Sequence, residues 1–177
     1  MDALQARILA AWPSLGVETA KLLLVALRKQ LFKAHEDGLL QTPPDQIYKF
    51  VRSNPPANDE ILGGIKDFRR DPGSACLVRD DGAWIHFTIL VHQEDKTTLQ
   101  LVAYDFEIVF PPSHTPPWVR LDLNPPSHPN ELRSHLHPGN DELLLPAPVM
   151  TPQEILDHFV RELRPRDPDK PRDGTKN

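Results

Sequence analysis

The sequence predicts an α+β protein: a helical N-terminal part, then an antiparallel sheet of about five strands, closed by a C-terminal helix. Three observations carry that prediction. Apolar residues recur at helical spacing through the first 70 residues, alternate at strand spacing from Ala75, and return to helical spacing after Thr151. Helices followed by a run of short strands is the α+β order. The boundaries divide the chain into residues 1–70, which read as helical, residues 71–163, which read as sheet plus helix, and a tail, residues 164–177.

Residues 2–11 place Leu4, Ile8 and Leu9 on one side of a short helix that Trp12-Pro13 ends. From Glu18 to His35, Ala20, Leu23, Leu24, Leu27, Leu31 and Phe32 mark a second helix, and Asp37-Gly38 stops it. Lys21, Arg28, Lys29 and Lys33 fill much of its polar side, as a solvated face or a binding surface would. Thr42 before Pro43-Pro44 reads as an N-cap for a helix through about Ser53 that buries Ile47, Phe50 and Val51. Asn58 then caps a predicted helix over Asp59–Arg70, although Gly63-Gly64 inside it costs about 1 kcal/mol per glycine.

Alternation predicts strands over Ala75–Arg79, Ala83–His92, Thr98–Phe110, Trp118–Asn124 and Glu131–His137, with room for a short one at Leu143–Leu145. In the long strand Val102, Tyr104, Phe106, Ile108 and Phe110 share one face, with Asp105 and Glu107 on the other. His86 falls on the polar side of its own strand. Thr151-Pro152-Gln153-Glu154 has the form of a capping box, opening a helix to about Leu163. Arg164–Asn177 is rich in proline and charge, has no apolar residue, and is expected to be disordered.

Composition excludes several classes. At 39% hydrophobic and 25% charged residues, with mean hydropathy -0.44, the profile is that of a soluble domain. No apolar run approaches membrane length, and Met1–Ala11 lacks the basic start and apolar core of a signal peptide, so a cytoplasmic location is the default. A single cysteine, Cys76, excludes an internal disulfide and reads as a small buried residue. The net charge of -5 announces no bulk affinity for nucleic acid. Phosphate-loop, dinucleotide, nucleophile-elbow and HExxH motifs are absent, and no cofactor is called for.

Chemistry concentrates in Pro117–Pro138. Paired as a hairpin, its two strands place Arg120, Asp122, Asn124, Arg133, His135 and His137 on one face, which the parity model turns to solvent. His135 and His137 stand about 7 Å apart along their strand. Three readings follow. The pair could begin a metal site completed by Asp122, His128 or Glu142. It could serve metal-free phosphodiester cleavage, with His135 and His137 as acid and base, Asp122 orienting one of them, and Arg120, Arg133 and Asn124 on the phosphate. It could also be an ordinary polar sheet face.

From Gly82 to Leu163 the chain resembles the small toxins of TumE-type toxin–antitoxin modules. The resemblance lies in the strand after Gly82-Ala83-Trp84, the strand with Tyr104, the strand ending at Asp122-x-Asn124, the spaced His135 and His137, and the helix beginning Thr151-Pro152-Gln153-Glu154-Ile155-Leu156. It implies a bacterial ribonuclease that uses no metal, acts on RNA and is neutralised by a cognate antitoxin. The alternative expectation is a non-catalytic accessory subunit of a bacterial defence complex that docks through its helical N-terminal part.

Overall fold

The computed structural model describes residues 15, 19–54, 59–63, 77–126, 128 and 132–164. The predicted helix over 2–11, Cys76 and the stretch 165–177 lie outside the described residues.

Helix α1 (Ala20–Glu36) forms as its periodicity predicts. Thr19 caps it, its hydroxyl accepting from the Leu22 N–H at 3.2 Å. Leu23, Leu27 and Leu31 are fully buried along one stripe. Helix α2 (Pro44–Phe50) is shorter than expected, and Thr42 is not its cap. The Thr42 hydroxyl instead accepts from the Val78 N–H at 2.6 Å and ties the helical segment to the sheet. Val51 closes α2, and the chain turns at once into strand β1 (Ser53–Asn54).

The predicted helix over Asp59–Arg70 is overturned where it can be seen. Asp59–Gly63 is strand β2, pairing β1 on one side and β4 on the other. Gly63 shows the reason. Its φ is +97°, and a Cβ there would lie 2.5 Å from the Phe87 carbonyl oxygen. Only glycine permits that backbone angle at so close an approach.

The remaining strands are β3 (Leu77–Val78), β4 (Trp84–Gln93), β5 (Leu99–Val109), β6 (Trp118–Leu123), β7 (Ser134–His137) and β8 (Leu145–Pro146). Together they form an eight-stranded antiparallel sheet in the order β1-β2-β4-β5-β6-β7-β8, with β3 on β4. A bulge between β4 and β5 pairs Leu90 with Ala103 but Val91 with Leu101. It absorbs Val102, so Leu101 rather than Val102 takes the buried place.

One face of the sheet carries Ile85, Phe87, Ile89, Phe106, Ile108 and Leu121, in a single core with the inner sides of α1 and α2 and the closing helix. That helix, α3 (Pro152–Asp157), has both hydrogen bonds of the capping box at Thr151 and Glu154 and runs into a π-helical turn over His158–Glu162. Phe159 meets Phe106 edge-on at 6.3 Å. Arg79, fully buried, locks the turn to the sheet. Its guanidinium donates to the carbonyls of Phe159 (2.5 Å) and Leu163 (2.7 Å) and pairs with Asp81. Arg164, assigned to the tail by composition, is docked. It pairs with Asp80 and donates to the Val160 carbonyl at 3.1 Å.

Candidate functional site

The polar face of the sheet is wider than the β6–β7 hairpin. Cross-strand register builds two adjacent rows over four strands. One is His86, Glu107, Arg120 and His137, and the other is Thr88, Asp105, Asp122 and His135. Directly opposed residues of antiparallel strands project to the same side, so the rows form one polar field.

Within it Asp122 is the hub. Its Oδ2 lies 3.2 Å from His137 Nε2, 3.5 Å from His135 Nε2 and 2.9 Å from Arg120 Nε. The two imidazoles stand edge to face, 4.9 Å between centroids. One donor atom from each of Asp122, His135 and His137 lies within 4.8 Å of the other two. Arg120 also reaches Asp141 at 2.9 Å and Glu107 at 3.9 Å. Burial works to lower the Arg120 pKa, but Asp122, Asp105 and Asp141 outweigh it and raise it.

The expected solvent-facing dyad is corrected here. His135 and His137 do share a face with Arg120 and Asp122, but they are 3% and 4% exposed. Strand parity assigns a side; it does not say whether that side is wet. Burial, followed by the nearby Arg120, lowers the His137 pKa against the pull of Asp122. Asp122 Oδ1 and His137 Nδ1 are buried with no hydrogen-bond partner among the described residues. His135 Nδ1 contacts the Leu132 carbonyl at 2.8 Å. A carbonyl only accepts, so Nδ1 carries the hydrogen.

Arg133 and Asn124 are placed differently from the hairpin expectation. Arg133 precedes β7, and its guanidinium donates to the carbonyls of Asn124 (3.2 Å) and Val102 (3.4 Å). Asn124 donates its amide to the Leu132 carbonyl at 3.3 Å. It also lines a cleft of about 410 Å³ together with Thr88, Asp105, Arg120, Asp122 and His128. Neither His135 nor His137 lines that cleft; Asp122 is the member of the cluster that does. Of the metal ligands that sequence offered, Asp122 joins the histidines, whereas His128 sits on the cleft wall.

Sequence reasoning missed Asp141, which lies in the turn after β7 and reaches back to Arg120. No local signal marks it. Glu107, Asp105 and His86 were on the polar side by parity, but only register shows that they belong to the same field. Compared with family models, curated proteins and solved structures, the chain matches none.

Proposed function

We propose that the chain is an enzyme whose reaction centre is the Asp122–His135–His137 cluster, reached by substrate through the cleft onto Asp122. The observation that supports this is the convergence of two buried imidazoles on one carboxylate oxygen at the wall of a cleft. Burying such groups is costly, and the cost is usually accepted where proton or ion chemistry needs them.

RNA is the substrate implied by the resemblance to TumE-type toxins. In the reaction the ribose 2'-oxygen attacks the adjacent phosphorus as its proton passes to the cluster. The 5'-oxygen leaves as a proton is returned to it, and a 2',3'-cyclic phosphate remains. The histidines are too buried to touch a polymer, so they act through Asp122 or through whatever the cluster holds. Arg120 and Asn124 at the cleft wall would contact the phosphate.

The test is expression of the chain alone in bacteria, with incubation of purified protein with RNA. Growth arrest and cyclic-phosphate ends are expected, and Asp122→Asn should lower the rate about 10²–10⁴-fold. Absence of both arrest and cleavage would refute the reading in favour of a non-catalytic partner-binding subunit.

A further inference from the structure

We propose that Asp122, His135 and His137 form a site for one divalent transition ion of the class that accepts two imidazoles and a carboxylate, with Zn²⁺ as the probe. The inference rests on placing the reaction centre at this cluster, and it names what the cluster holds.

Three independent features support it. The first is tautomeric. With the Nδ1 hydrogen of His135 given to the Leu132 carbonyl, its Nε2 is the ring atom that faces the Asp122 carboxylate, 3.5 Å away, as a metal-binding nitrogen would. A backbone carbonyl on the far ring nitrogen is also the usual outer partner of a metal-bound histidine, because it fixes the ring and its tautomer.

The second is geometric. At a metal–ligand distance of about 2.1 Å, donor separations of 3.2 and 3.5 Å subtend angles of about 100° and about 113° at the ion. These fit tetrahedral or five-coordinate binding. Two donors on one ion lie at most about 4.2 Å apart, so the widest separation in the triad, within 4.8 Å, must fall to that or less on binding. Three protein ligands leave a position open for water or substrate on the Asp122 side, where the cleft lies.

The third is charge. Asp105, Glu107, Asp122 and Asp141 all act on Arg120, the guanidinium that reaches the cluster among the described residues. Arg133 is turned to backbone carbonyls. Phosphodiester cleavage needs positive charge on the developing phosphorane, and Arg120 is already engaged by these carboxylates. A divalent ion adds positive charge at the cluster and lowers the pKa of bound water.

The test is titration of the full chain, stripped with EDTA and dialysed, with Zn²⁺ by calorimetry and with Co²⁺ by visible spectroscopy. One ion per chain is expected, with the absorption of a four- or five-coordinate cobalt centre. Asp122→Asn and His135→Gln should each weaken binding by more than the 10–100-fold that loss of an outer partner typically costs. His158→Gln, at a surface pair with Glu162, should leave it unchanged. A wild-type protein that takes up no ion, or takes it up undiminished in folded Asp122→Asn and His135→Gln variants, overturns the proposal. Should a histidine variant fail to fold, the paramagnetically shifted imidazole signals of the wild-type cobalt form still decide: two are expected, and none refutes. Metal binding without RNA cleavage would refute the RNA reading alone. Cleavage by metal-free protein would refute the metal site and leave the reaction centre in place.

Discussion

His86 offers the sharpest energetic test of the polar face. It is 3% exposed, its ring meets the edge of Phe50 at 5.6 Å, and burial lowers its pKa to about 4 from an ordinary 6.5. As pH falls below 6.5 the unfolded chain takes up a proton that the folded chain refuses until about pH 4. The unfolded state therefore binds more protons in that window, and stability falls with acid. The contribution is complete above pH 6.5 and lost by pH 4. At about 1.4 kcal/mol per pH unit, the whole gap is worth about 3 kcal/mol. His86→Gln removes the titration. Urea unfolding of both proteins at steps from pH 7 to pH 4.5 should show wild type losing about 2–3 kcal/mol more than the variant over that range. Carboxylate titration is common to both proteins and cancels in the difference. The competing arrangement is an imidazolium held by Glu107, which lies directly opposite His86 on β5. That arrangement would raise the pKa, stabilise wild type in acid and reverse the sign of the difference. Equal slopes or a reversed sign would refute the reasoning.

Three further outcomes follow from the fold. Gly63→Ala should cost about 2–4 kcal/mol, since φ is +97° and the new Cβ meets the Phe87 carbonyl; a loss under 0.5 kcal/mol in urea would mean that β2 is not seated as described. Arg79→Met should cost about 3–5 kcal/mol by stripping the Phe159 and Leu163 carbonyls and Asp81 of their buried partner, and unchanged thermal unfolding would show that the π-helical turn does not depend on it. Thr151→Ala should cost about 1 kcal/mol through loss of the capping box, read as a lowered melting temperature, whereas Thr151→Ser should cost little.

What could be read from sequence and what could not differ in physical kind. Helix α1 and the capping box at Thr151 were legible because each rests on contacts between residues a few positions apart. Asp59–Gly63 was not. Ile61, Leu62, Ile65 and Phe68 fit a helical period, and the choice of strand depends on β4, more than twenty positions further on. Thr42 looked like a cap because local rules see the prolines after it and cannot see the Val78 amide. Val102 was grouped on one face with Tyr104 and Phe106 because alternation has no means of anticipating the bulge at Leu90 and Val91.

The site divides along the same line. Period-two alternation put Arg120, Asp122, His135 and His137 on one face without knowledge of any neighbour. Their convergence came from register. Asp122 stands directly opposite His135, and His137 stands opposite Arg120, the next residue along that face. Both imidazoles therefore flank a single carboxylate. Sliding β7 by two residues would keep every side chain on its face and preserve the alternation. It would also carry one imidazole about 7 Å further from Asp122, beyond the reach of a shared proton or a shared ion. The chemistry proposed for this chain thus depends on one register of β7 against β6, the one that pairs Asp122 with His135 and Arg120 with His137.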